Sequence, residues 1–243
     1  MAKENYIVIG LARSYKNSKN NAFDNVTHLG CDITNLDEVK KVFKFIEANF
    51  GQIDVLVNNA GSGTVATIED ISYSDLESEI KINLLGHIYC IKESIPLLRK
   101  NKGGLILNIT STGGRLTYPS IAIYDACKHA IESISYSLSW ELEKWNIKVS
   151  ILEPGAINTN FGKRMKRYNN SDRYIDYYSS ASRGFGKMYK NSQTPEKVAT
   201  FVLALLKQYK WRQNTSFLDK IWILSFILLP KKTCDFIIKR YFN

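Results

Sequence analysis

The chain predicts a doubly wound α/β fold, in which parallel strands are covered by helices on both faces. Short β-branched runs alternate with longer segments of helical period. The strand ends are small and polar, as they are where such sheets bind ligands. At 243 residues, with no Pro/Gly/Ser-rich break and no internal repeat, one domain accounts for the whole chain.

Residues 6–12 read as the first strand and 26–31 as the second. Leu36, Val39, Phe43, Ile46 and Phe50 then mark a helix by their three- and four-residue spacing. Residues 53–58 form a third strand, followed by a long stripe through Leu76, Ile80, Leu84, Ile88, Ile91, Ile95 and Leu98. A fourth strand at 105–110 precedes the helical stripe Ile131, Ile134, Leu138, Leu142, and a fifth runs over 147–152. Thr194-Pro195-Glu196 supplies an N-cap and an N1 proline for a helix through Val198, Phe201, Val202 and Leu205.

Composition narrows the function. Four separated cysteines, with no C-x-x-C pair and no histidine cluster nearby, indicate a reduced, cytoplasmic chain without a metal site. No apolar run reaches the roughly 18 residues that a membrane span requires, and no secretory signal opens the sequence. The net charge of +10 is concentrated: residues 161–190 carry eight basic side chains against two acidic ones. A solvated loop, or one attracting an anionic substrate or membrane surface, explains this better than a nucleic-acid partner does.

The chemistry gathers at the strand ends. Tyr124 and Lys128 lie four apart, one helical turn, which brings phenol and ammonium to one face. A nearby cation favours the phenolate and makes the tyrosine a general acid/base. Ser111 ends the fourth strand, where its hydroxyl can hold the oxygen of a carbonyl or alcohol. Taken alone, a tyrosine and a lysine at this spacing are ordinary exposed helix residues.

Their company is more specific. Asn58-Asn59-Ala60-Gly61 after a strand, Lys81-Ile82-Asn83 in the next helix, Ser111, Tyr-x-x-x-Lys, and Pro154-Gly155 with Thr159 resemble, in order and spacing, the short-chain dehydrogenase/reductase family over roughly residues 5 to 210. The resemblance implies a Rossmann-like NAD(P)-dependent oxidoreductase with a tetrad of Asn83, Ser111, Tyr124 and Lys128. Tyr124 would exchange the proton and Ser111 would orient the substrate. Lys128 would hold the nicotinamide ribose and lower the Tyr124 pKa, and Asn83 would support a water relay. By the same resemblance Asp32 and Ile33 meet the adenine, Asn59, Ala60 and Gly61 pass along the adenosine, and Ile157 and Thr159 lie near the nicotinamide amide. Arg13 and Ser14 close the first strand, with no acid between Gly10 and Lys19, which suits a 2′-phosphate and favours NADP(H) over NAD(H).

In the family a strand, a Gly-rich turn and a helix come before the first strand seen here, and only Met1 to Asn5 stand ahead of residue 6. The resemblance therefore implies that about 25–30 residues of the usual unit are absent. The first and third strands would then face a gap near 10 Å or pair with each other. Two readings follow: an N-terminally truncated copy of a working oxidoreductase, or a catalytically impaired pseudoenzyme or interaction protein on the same scaffold.

Residues 158–193 correspond to a substrate lid with five tyrosines, Tyr168, Tyr174, Tyr177, Tyr178 and Tyr189. Residues 216–243 combine the apolar run 221–229 with Lys231, Lys232, Lys239 and Arg240. The lid suits a partly apolar substrate, and the C-terminal segment together with Glu153-Pro154-Gly155-Ala156-Ile157-Asn158-Thr159 resembles the family's steroid-, retinoid- and acyl-lipid-reductase-like branch, which implies a lipophilic carbonyl or alcohol as substrate. The second segment also suggests peripheral membrane contact or packing on a homo-oligomer partner.

Overall fold

The computed structural model describes residues 1–17, 24–168, 171–190 and 192–242. Strand β1 (Val8–Ala12) pairs in parallel with β2 (Val26–Gly30). A second parallel sheet has the order β3 (Val55–Asn58), β5 (Gly104–Ile109), β6 (Ile147–Glu153) and β8 (Arg212–Asn214), with the short pair β4 (Thr64–Val65) and β7 (Lys166–Arg167) outside it. Of the two arrangements the sequence allows, the chain adopts the separated one: β1 does not pair with β3 among the described residues.

Helices bridge that break. Helix α1 (Leu36–Phe50) begins at Asn35, whose side chain accepts the N–H groups of Asp37 and Glu38, and buries Val39, Val42, Phe43 and Ile46. Together with Cys90 and Leu97 of α3 (Gly86–Lys100), these side chains pack on Ile9, Leu11 and Leu29 of one sheet and on Leu56 of the other. A shared apolar layer therefore joins the sheets where no ladder does.

The long helical stripe is broken by structure that its spacing does not reveal. Helix α2 (Tyr73–Ile80) passes through a π-helical turn at Lys81–Leu85 before α3 resumes, which places Asn83 in the wide turn. Helix α4 (Ala122–Glu141) follows β5, and its residues Ile131 and Leu138 are buried. The next elements are α5 (Asn160–Arg164), β7, α6 (Ile175–Lys190) and α7 (Pro195–Lys207), the last capped by Thr194 as expected. Helices α8 (Phe217–Leu228) and α9 (Lys231–Phe242) end the described chain. Strand β8 escapes sequence reading because Arg-Gln-Asn carries no β-branched or apolar signal.

Candidate active site

The site forms where β5 gives way to a tight turn. Ser111 lies two residues beyond the end of β5, and its Oγ accepts the Gly113 N–H at 3.1 Å, which opens the turn Thr112–Gly114. Tyr124 and Lys128 occupy the first two turns of α4. The Lys128 side chain is buried, its Nζ donates to the Ile109 carbonyl at 3.1 Å, and it stands 5.6 Å from the centre of the Tyr124 ring. The ammonium thus ties the helix to the last residue of β5.

Burial sets the protonation of these groups. It pushes the Lys128 ammonium down to about 8. It raises the Tyr124 phenol above its ordinary 10, while the Ser111 hydroxyl beside it pulls the other way. A phenol made acidic by Lys128 was expected. Desolvation is instead the larger effect, and the lysine directs its hydrogen bond to the Ile109 carbonyl. Next to Tyr124, Asp125 is fully buried: one carboxyl oxygen accepts the Tyr118 N–H at 2.7 Å, the other has no hydrogen-bond partner among the described residues, and burial raises the carboxyl to about 8.

Ser111, Tyr124 and Lys128 line one cavity of about 370 Å³, and Asn59, Gly61, Ile157 and Thr159 join them there. Thr159 also caps α5 by accepting the Phe161 N–H, and Ile157 is held in a β-bridge to Gln193. The opposite wall is apolar: Ile121, Phe161, Met165, Phe185, Met188 and Tyr189, with the Phe161 and Tyr124 rings 5.8 Å apart.

Other predicted residues lie elsewhere. Asn83 is fully buried, and its amide accepts from the Ser62 N–H and donates to the Ser62 carbonyl, so its side chain shapes the turn around residue 62 and does not line the cavity. The Ala60 carbonyl meets His87 Nε2 at 2.7 Å, and burial lowers that imidazole to about 4, leaving it neutral. Arg13 and Ser14 are exposed beyond β1, and the Arg13 guanidinium sits 4.0 Å from the Asp32 carboxylate. Asp32 also accepts the N–H and hydroxyl of Thr34. Ile33 presses on Gly86, where an added Cβ would come within 2.8 Å of it. These four residues follow the smaller sheet, outside the cavity lined by Ser111, Tyr124 and Lys128. Positions 18–23, including Lys19 of the acid-free stretch, lie outside the described residues.

The eight basic side chains of residues 161–190 are exposed to solvent, as the charge suggests, but the segment is largely helical rather than a loop and is tied to residues 69–75. Lys166 pairs with Asp75 at 2.6 Å, and Arg173 pairs with Glu69. Tyr168 donates to Asp75, Tyr174 to Glu69 and Tyr178 to Asp70. Of its five tyrosines only Tyr189 lines the cavity. Positions 169, 170 and 191 of this segment lie outside the described residues. The cavity residues Thr112, Tyr118, Asp125, Phe161, Met165, Phe185 and Met188 went unread in the sequence. The spacings of Phe161 with Met165, and of Phe185 with Met188 and Tyr189, were signals of inward faces.

Comparison with known proteins agrees with this geometry. The chain is 33% identical over 185 residues to oxidoreductase BOA17 of Botryotinia fuckeliana, covering 75% of this chain and 68% of that one. It is 29% identical over 234 residues to the 3-ketodihydrosphingosine reductase of Bacteroides thetaiotaomicron, covering 95% and 84%. A short-chain dehydrogenase from Streptomyces avermitilis superposes with a TM-score of 0.78 at 25% identity, over 90% of this chain and 82% of that one. Two further structures share the fold. One is a Burkholderia phymatum short-chain dehydrogenase/reductase in complex with NAD (TM-score 0.73, 20% identity, 82% and 74% covered). The other is a Thermococcus sibiricus alcohol dehydrogenase complexed with 5-hydroxy-NADP (TM-score 0.69, 23% identity, 88% and 86% covered). The sequence model of the short chain dehydrogenase family matches residues 1–170, and with a serine, tyrosine and lysine gathered on one cavity the chain belongs to that family of oxidoreductases.

Proposed function

We propose that this chain interconverts a carbonyl and an alcohol on a lipophilic small molecule with a nicotinamide cofactor, NADP(H) in preference to NAD(H). The observation that carries the reading is the cavity itself, which sets Ser111, Tyr124 and Lys128 opposite a wall of Phe161, Met165, Phe185 and Met188. The residues fit a nicotinamide. Buried Lys128 has N–H capacity beyond its bond to Ile109, suited to ribose hydroxyls, and Asn59, Gly61, Ile157 and Thr159 line the same cavity. When bound, the cofactor supplies or accepts a hydride at the substrate carbon.

The chain's own groups do the remaining work. Ser111 donates a hydrogen bond to the substrate oxygen, orienting the carbonyl carbon and stabilising charge that grows on oxygen. Tyr124, which burial keeps protonated, delivers its proton to that oxygen during reduction and takes it back during oxidation. The Lys128 cation then stabilises the transient phenolate. The apolar wall excludes water and receives the hydrocarbon part of the substrate. A relative named for a keto-sphingoid substrate, aligned over 95% of this chain, supports a long-chain ketone. Arg13, exposed at the end of β1, supports the 2′-phosphate preference, and Asn83 acts through the turn at Ser62.

The test is NADPH oxidation against a panel of long-chain ketones. Tyr124→Phe should lower kcat at least about 100-fold while NADPH affinity, read by fluorescence titration, stays within about twofold. Arg13→Glu should raise KM for NADPH about tenfold and leave NADH nearly unchanged. A folded protein that binds neither nucleotide defeats the reading in favour of a catalytically impaired scaffold.

A further inference from the structure

Helix α8 is strongly apolar, interrupted only by Asp219, Lys220 and Ser225, yet among the described residues the fold covers only one of its faces. Ile223 is buried in the same cluster as Tyr118, Ile121 and Phe185, with Trp222 and Phe226 packed against it. On the opposite face Phe217, Ile221, Leu224 and Leu228 recur at helical spacing and are 76%, 48%, 45% and 78% exposed. Leu218 and Ile227 flank them in solvent, and Phe236 is exposed on α9. Helices of this kind belong in a core or against lipid, and apolar patches of this extent mark interaction surfaces.

The surrounding charge selects the partner. Lys220, Lys231, Lys232, Lys239 and Arg240 are all exposed on these two helices. The two carboxylates there are engaged internally: Asp219 is bonded to the Gly155 backbone, and Asp235 is paired with Lys231 at 2.5 Å. A second copy of the chain docked through this face would set lysines against lysines across a two-fold axis. An anionic lipid surface would neutralise them while its acyl region receives the apolar stripe. Twelve residues of helix reach only about 18 Å, well short of a bilayer core near 30 Å, so α8 would lie in the interface.

We propose that the outer face of α8, with the basic residues of α8 and α9, is a docking surface for an anionic lipid bilayer. Its position relative to the catalytic cavity adds a purpose. A groove of about 500 Å³ runs between the turn at Tyr118 and Pro119 and the side chains Phe226, Leu229 and Ile238, and Tyr118 also lines the catalytic cavity. Docking thus brings a lipid source beside the substrate pocket. That purpose rests on the lipophilic-substrate reading, whereas vesicle binding does not.

Sedimentation of the full chain with vesicles decides the matter. It should bind phosphatidylcholine vesicles containing phosphatidylglycerol at least about tenfold better than pure phosphatidylcholine, and lose that advantage at high salt. Ile221→Glu with Leu224→Glu should reduce binding to both vesicles at least tenfold. Lys231→Glu with Lys232→Glu should abolish only the preference for the anionic lipid. Both double variants should oxidise NADPH with a water-soluble ketone at the wild-type rate. Folded wild-type protein that ignores anionic vesicles overturns the proposal. So does a glutamate double variant that binds them normally, or one whose sole effect is to dissociate an oligomer in sedimentation velocity. Absent turnover on every ketone with intact vesicle binding would instead defeat the enzymatic reading and leave the docking surface standing.

Discussion

Glu79 shows how one side chain can carry a pH dependence. It lies on α2 and is almost fully buried, and among the described residues neither carboxyl oxygen makes a well-formed hydrogen bond. Desolvation raises it from 4.5 to about 7, with Thr64 pulling weakly the other way. The folded protein therefore holds this proton to higher pH than the unfolded chain does. The stability that follows is complete below about 4.5 and is lost as pH rises through about 7, a span worth about 3 kcal/mol. Glu79→Gln cannot ionise, so it should gain about that much relative to wild type at pH 8 and almost nothing at pH 4. Urea unfolding at the two pH values measures the difference, and an equal effect at both would show that the carboxyl is not desolvated as described. Tyr124 and Lys128 obey the same rule: their spacing was legible in sequence, but their protonation follows from burial.

Among the elements, β8 depends most on a polar anchor. Arg212 pairs with Glu132 of α4 at 2.8 Å and with Glu153 at the end of β6, and Asn214 donates to the same Glu153. Both carboxylates are buried, so the guanidinium neutralises charge that water cannot reach. Arg212→Met keeps the apolar stem but removes the cation shared by the two carboxylates, leaving Glu132 with the Thr110 hydroxyl and Glu153 with Asn214 and the more distant Arg115, and should cost about 3–5 kcal/mol. A thermal midpoint unchanged by this substitution would mean that the cluster does not hold the strand. None of this was visible in the tripeptide Arg-Gln-Asn, because its strand character comes from partners about 60 and 80 residues away. By contrast, the capped starts of α1 and α7 were local signals, and the α7 cap was read directly.

Over the whole molecule, cohesion is uneven. Strands β5 and β6 are paired on both sides and almost wholly buried, whereas β1 and β2 are half-buried and, among the described residues, paired only with each other. Local opening should follow that division, since amides protected by one ladder and a partly wet face open more readily than those in a doubly flanked core. Native-state hydrogen exchange should find β1 and β2 amides exchanging at least about 100-fold faster than those of β5 and β6. Uniform protection across all four strands would show that the apolar layer of α1 and α3 welds the two sheets into one unit.

The sequence by itself determined the parallel α/β architecture, the helix that carries Tyr124 and Lys128, and Ser111 at a strand end, because periodicity and one-turn spacing are local properties. Only the tertiary structure decided that Lys166, Arg173 and the tyrosines of the basic segment meet Glu69, Asp70 and Asp75, that Asn83 serves the turn at Ser62, and that one face of α8 stays bare among the described residues. Those outcomes depend on which distant groups meet and which lose their water, and desolvation and pairing are properties of the folded neighbourhood rather than of the residue.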